Sequence, residues 1–238
     1  MNKKIKKISC IILVLILLVG CQNKESLQDT AEAFVEIKED SANVEAVSIE
    51  KDKIKIKYPK LIGFENEKIE AKWNKIIEER ILKDLELLKE TDVYNLDYEV
   101  ATNTKEELSL KLVGSCYYDG AAQPYHFIYT YNISLETGES IRLSDQRDIT
   151  KLAEMIYNKQ GFQMESDIDV DEEFMKYIYS TFENEEFLAE MLINFDYDEE
   201  TQQEYGYSFF EHNQLHLCIE VPHDLGDYVI LALDEEEK

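Results

Sequence analysis

The stretch Tyr125-His126-Phe127-Ile128-Tyr129-Thr130-Tyr131-Asn132-Ile133 places a large apolar or aromatic side chain at every second position, which is the period of a β-strand. Two earlier segments share that period. One carries Tyr94, Leu96, Tyr98 and Val100, the other Leu108, Leu110, Leu112 and Gly114. Three such segments in succession predict an antiparallel sheet. Just upstream the period changes: Ile69, Trp73, Ile76, Ile77, Leu82, Leu85 and Leu88 recur at spacings of three and four, so a helix is expected from about 66 to 89 with this stripe on the sheet. Before it, Ile54, Ile56 and Tyr58 alternate with lysines and predict a strand that ends at Pro59. Folded structure is expected to begin at Lys51.

Downstream, Leu135-Glu136-Thr137-Gly138 reads as a turn into a short strand at 140–143. Helices are then expected from Thr150, carrying Leu152, Met155 and Ile156 and stopping at Gly161, from Asp171 to Phe182, and from Glu185 to about Phe195. Strands follow at 207–210 and 215–221 around the turn His212-Asn213-Gln214, with a last one at 227–233. The predicted class is α+β: an antiparallel sheet with a long helix packed on it, then helices and a C-terminal antiparallel strand unit. The halves divide as 50–145 and 146–238.

The first residues carry a different signal. Lys3, Lys4, Lys6 and Lys7 precede an apolar run from Ile8 to Val19, which reads as an export signal, and the run is short for a membrane span of about 20 apolar residues. Leu18-Val19-Gly20-Cys21 resembles the lipobox of bacterial lipoproteins. That resemblance implies a signal peptide over 1–20, a lipid attached to Cys21 and an extracytoplasmic protein anchored to the cell membrane. Residues 21–49, polar and poor in aromatics, are expected to be a flexible linker.

The whole chain holds 25 basic and 51 acidic residues, a formal charge of −26. Without the four lysines of the signal, 21 against 51 gives −30. Such a balance repels the phosphates of nucleic acids, so no nucleic-acid partner is expected, whereas a cationic protein would be steered toward it. Beyond Cys10 and Cys21, only Cys116 and Cys218 remain, too few for a disulfide framework, and the two are expected to be unbridged.

Several motifs resemble a known family. Gly120-Ala121-Ala122-Gln123-Pro124, Tyr131-Asn132-Ile133-Ser134-Leu135-Glu136-Thr137-Gly138, Leu143-Ser144-Asp145, the run Leu215 to His223 and Gly226-Asp227-Tyr228 are similar to the extracytoplasmic module shared by PdaC-type deacetylases and RsiV-type anti-sigma factors. The likeness covers about residues 50–235. Where that family shows Gly-Gly-Ala-His, this chain has Ala121 and Gln123 in place of the second glycine and the histidine, so a role of that histidine does not transfer. The resemblance implies a binding or sensing module without the deacetylase domain, and, after the RsiV type, a partner such as lysozyme.

Readings of individual residues point the same way. Asp167, Asp169, Asp171, Glu172 and Glu173 suggest a calcium loop, but the sixth and twelfth positions hold Glu172 and Ile178 where glycine and glutamate are needed; an acidic helix start explains them. His212, His216 and His223 straddle a turn and strand and do not make a zinc motif. There is no Gly-x-Ser-x-Gly elbow, and carboxylate pairs carry no information in so acidic a chain. No catalytic residue, metal or cofactor is therefore expected. The stripe Tyr125, Phe127, Tyr129 and Tyr131 is read as core, with a binding face as the alternative. The expected contact region is the loop bearing Tyr117, Tyr118, Gly120, Gln123 and Tyr125, where small residues permit close approach. Its expected ligand is a basic protein such as lysozyme or, alternatively, wall glycan held by tyrosines; a hydrolase is the weakest reading.

Overall fold

The computed structural model describes residues 42–64, 66–165, 171–202 and 204–234, all of which fall within the compact unit 37–238. The export signal, Cys21 and the linker up to residue 41 lie outside the described residues.

The first sheet has the strand order β1-β2-β3-β4-β5. It comprises β1 (Asn43–Lys51), β2 (Ile54–Ile62), β3 (Val93–Asn103), β4 (Glu107–Tyr117) and β5 (Tyr125–Ser134). The three alternating segments are indeed neighbours: β3, β4 and β5 pair antiparallel along their whole length. Between β2 and β3 runs the helix α1 (Glu67–Leu87), capped by the Asn66 side chain on Lys68 N, and this crossover makes the short β2–β3 pairing parallel. The helix lays Ile69, Trp73, Ile77 and Ile81 on one face of the sheet. These are strict i, i+4 positions. Ile81 therefore takes the core place that sequence reading gave to Leu82, which turns outward and is exposed.

Two further expectations are corrected in this half. Ordered structure starts before Lys51: Asn43–Lys51 forms an edge strand inside the stretch read as linker, pinned at its start by Asn103, whose amide accepts from Ala42 N and donates to Ala42 O. Pro59 does not end β2. It pairs opposite Ala46, beyond the three residues where β2 touches β3, where the strand has a neighbour on one side and a missing N–H is tolerated.

The second sheet has the order β6-β9-β8-β7, with β6 (Phe162–Glu165), β7 (Tyr207–Glu211), β8 (Gln214–Glu220) and β9 (Tyr228–Leu233), all antiparallel. Sequence reading missed β6. The β7–β8 turn places His212 and Asn213 at φ 51° and 64°, the twist that suits a two-residue hairpin. Helices α3 (Ile149–Tyr157), α4 (Asp171–Thr181) and α5 (Glu185–Leu192) cover one face of this sheet, packing Leu152, Phe174, Ile178 and Leu188 on Leu215, Leu217 and Ile219. The strand expected at 140–143 is absent: Ser140 makes a single bridge to Ile133, and the chain turns at once into the short α2 (Leu143–Gln146).

The layers therefore run α1, first sheet, second sheet, then α3 to α5. Part of the contact between the sheets is polar. Residues 208 and 210 of β7, the margin of the second sheet, turn their backbone toward the first: Ser208 O accepts from Thr130 Oγ1 and Asn132 Nδ2, Phe210 N donates to Ser109 Oγ, and Phe210 O accepts from Thr102 Oγ1. An edge strand left bare would invite pairing with another chain, and here side chains of the neighbouring sheet close it. Around this contact sit Ile128, Phe209 and Cys218. Cys116 lies instead under α1, so the two free thiols are buried in different clusters.

Candidate functional site

At the β5 margin the two sheets and α1 leave a gap, crossed by the segment 195–206 that connects α5 to β7. Two residues fix this segment. Asp196, buried and at φ 68°, accepts from Ser208 N (2.6 Å), Ser208 Oγ (2.7 Å) and Leu143 N (2.8 Å). Burial pushes its carboxyl up to about 7, against the pull of those three hydrogen bonds and of Arg142. Asp198 caps the next turn by accepting from Glu200 N and Thr201 N, and holds Arg142 at 2.6 Å; Arg142 in turn donates to the carbonyls of Phe195 and Ile193. Gly206 lets the strand start pass under a ring, since a Cβ there would stand 2.3 Å from Phe195.

Held in this way, the segment forms one wall of a cleft of about 730 Å³. Its wall carries Tyr197, Glu199, Gln202, Glu204 and Tyr205; α1 supplies Lys72, Ile76, Arg80 and Lys83 opposite, with Tyr131 between them. Trp73, Tyr131 and Tyr197 form a cluster of edge-on rings with centroids 6.0–6.4 Å apart. Lys72 ties the two walls together, donating to Gly138 O at 2.8 Å and pairing with Glu199. Gly138, at φ 75°, ends the predicted 135–138 turn and receives the Trp73 indole N–H on the same carbonyl.

Deeper in the cleft lies a charged cluster. Arg80 pairs with Glu204 at 2.9 Å, approaches Asp84 at 3.6 Å and stacks over the Tyr129 ring at 3.9 Å. Asp84 accepts from the hydroxyls of Tyr94 and Tyr129 at 2.8 and 2.9 Å. Burial works against the Arg80 charge, but Glu204 and the neighbouring tyrosines hold it firmly protonated. Burial raises the Glu204 carboxyl, while Arg80 and the Tyr207 hydroxyl pull it down. The Glu204 side chain is only 9% exposed, and its Oε2 has no hydrogen-bond partner among the described residues.

A second chamber, of about 260 Å³, adjoins the first and shares Arg80, Glu204 and Tyr205 with it. Tyr125, Tyr207, Tyr228, Glu220 and Asp227 line its far side.

The loop expected to be the contact region is placed differently. Tyr117 and Tyr118 are partly exposed, but the Tyr117 hydroxyl donates back to Ala121 O at 2.8 Å, and Gly120, at φ 87°, serves the turn. Gln123 is exposed. Of the five residues only Tyr125 borders a chamber. Tyr129 and Tyr131, read as core, are buried and also line the chambers. The histidines do not converge: His216 is buried, stacked on Phe209 and bonded to Gln214 O and Glu165, while His223 binds Asp227. Among the described residues no group of three or more His, Cys, Asp or Glu is placed to hold a metal ion. Most of the acidic run 167–171 lies outside the described residues. Sequence reading missed Arg80, Tyr197, Glu204, Tyr205 and Tyr207. The signal available was the rarity of arginine: of three in the chain, Arg80 and Arg142 both anchor this segment.

No protein-family model and no curated protein sequence matches the chain. Solved structures similar to it include a member of the DUF3298 family from Bacteroides fragilis, 11% identical with a TM-score of 0.47 over 82% of this chain and 90% of that one. Another is a DUF3298 family protein from Pseudomonas aeruginosa, 9% identical with a TM-score of 0.47 over 81% and 90%. Both neighbours belong to a domain family of unknown function.

Proposed function

We propose that this protein is a lipid-anchored, extracytoplasmic binding module that takes a saccharide chain of the cell wall in the cleft between α1 and residues 197–205, and does not transform it. The observation that carries the reading is the composition of the cleft. Tyr197 and Tyr205 offer rings above the buried Tyr131, and Lys72, Arg80, Glu199 and Glu204 hold donors and acceptors at fixed positions. Sugars combine apolar ring faces with many hydroxyls, so rings and fixed polar groups together suit them. Anchoring rests on the Leu18-Val19-Gly20-Cys21 motif. Pull-down with purified wall tests the binding. Retention in high salt is expected, because stacking is not ionic, and failure to bind at any salt refutes the reading.

A second reading has its own observation, the excess of 51 acidic over 25 basic residues. Together with the resemblance to RsiV-type proteins it favours a cationic hydrolase such as lysozyme as a protein partner. Titration with a basic lysozyme should then show saturable, salt-sensitive association. Absence of saturation removes this reading and leaves the first intact.

A further inference from the structure

The two outer strands of the first sheet are finished differently. β5 is met by Ser208 of β7 and by the bridge from Ser140 to Ile133. β1, nine residues long, has β2 on one side and no strand on the other among the described residues. Every second residue of an antiparallel strand turns its N–H and C=O away from its neighbour, so β1 presents an open row of donors and acceptors. Proline, a bulge or a run of lysines commonly guards such an edge. β1 has no proline, pairs with β2 without a shift of register, and carries charges of both signs, Glu45, Glu50 and Lys51.

The order of those residues suits a two-fold axis. Antiparallel pairing of two copies about Ser48 sets each Glu45 opposite the second copy's Lys51, Val47 opposite Ile49 and Ala46 opposite Glu50, with no like charges facing. Centring on Val47 or on Ile49 instead sets Glu45 or Lys51 against an apolar residue. Within one chain Val47 pairs with Tyr58 and Ile49 with Ile56. The join about Ser48 therefore runs the row of Tyr58 and Val47 into Ile49 and Ile56 of the second copy. It covers Val47 and Ile49, which are only half-buried at the rim of the core under α1.

We infer that the open edge of β1 is an interface between two copies of this chain, paired antiparallel about Ser48 so that their two five-stranded sheets become one. The cleft lies at the β5 margin, at the far end of each sheet from β1, so the pairing leaves both clefts free at opposite ends of the joined sheet. Whatever fills the clefts, a pair engages two stretches of it at once and gains avidity without a new contact.

Cysteine cross-linking of the full chain under mild oxidation, over a series of protein concentrations, tests the pairing, with the parent chain as background. Residues opposite one another in an antiparallel pair lie about 4.5–5.5 Å apart at Cα, within reach of a disulfide. Ser48→Cys should therefore give a cross-linked dimer well above the parent. Ala46→Cys should not, because its counterpart stands four residues along the strand, about 13 Å away. A mixture of Ala46→Cys and Glu50→Cys should cross-link, since those positions meet. In sedimentation of the chain without added cysteines, Glu45→Lys should weaken dimer formation about tenfold, by setting lysine against lysine twice, and adding Lys51→Glu should restore it. Rescue separates pairing from fold stability, because the second change leaves the contact of position 45 with Lys60 of its own chain as it was. No cross-link from Ser48→Cys above the parent, or equal cross-linking of Ser48→Cys and Ala46→Cys, overturns the inference. So does a failure of Lys51→Glu to restore what Glu45→Lys removes.

Discussion

Two connecting segments, 117–124 and 195–206, look alike in purpose and differ in construction. The first has what sequence reading associates with contact: adjacent tyrosines, small residues and a glycine. Yet it has a single outside tie, Asp119 N to the buried Asp92 carboxylate, its Tyr117 hydroxyl bonds within the loop to Ala121 O, and only its successor Tyr125 meets a chamber. The second is charged and unremarkable in sequence. It is held from outside, by Leu143, Arg142 and Ser208 through Asp196 and Asp198, and it forms the wall of the cleft. A loop tied down at one point makes a turn. A loop whose groups are satisfied by distant elements makes a surface of fixed shape, and a binding site needs the latter.

The sharpest way to break the contrast is to remove an outside anchor. Arg80→Ala leaves Glu204 and Asp84 without their shared cation in a largely buried place, and a loss of about 3–5 kcal/mol is expected in denaturant unfolding. Next comes Asp196. Its folded-state value near 7 lies above the usual carboxylate value near 4, so the folded state holds the proton more tightly. The stability this group contributes is fully present below about pH 4 and is lost as pH rises through 7, on the order of a few kcal/mol. Unfolding measured from pH 4 to 8 should show that decline in the parent, and Asp196→Asn should flatten it while lowering stability, since an amide cannot accept all three hydrogen bonds. Gly206→Ala should cost about 1–3 kcal/mol, as the added Cβ forces the Phe195 ring to move. In the loop 117–124, Tyr117→Phe removes one exposed hydrogen bond and should cost at most about 1 kcal/mol. A loss from Tyr117→Phe as large as that from Arg80→Ala would erase the distinction.

The same contrast explains what was legible in the sequence. Elements facing one apolar layer were readable, because α1 and the odd positions of β5 need only bury side chains, and periodicity records that need. Leu82 was misplaced by one residue because Ile81 and Leu82 are adjacent and equally apolar, and only the strict i, i+4 row from Ile69 decides between them. β1 was hidden by its role as an edge, with Glu45, Glu50 and Lys51 breaking the apolar pattern. Thr130 and Asn132 are the polar even positions of β5, and both are buried, since they complete the hydrogen bonding of β7. The cleft was illegible for the same reason: Arg80 and Glu204 meet only after both sheets have formed, and no local spacing announces such a pair.

The most direct test of the central claim sets the two segments against each other. Binding of wall glycan fragments should be measured for Tyr197→Ala with Tyr205→Ala, and separately for Tyr117→Ala with Tyr118→Ala. The account predicts that the first pair reduces affinity at least about tenfold, two stacking contacts being removed, and that the second pair leaves it within about twofold of the parent. Loss of binding in the second pair, with the first unaffected, would move the site to the loop 117–124 and contradict the account.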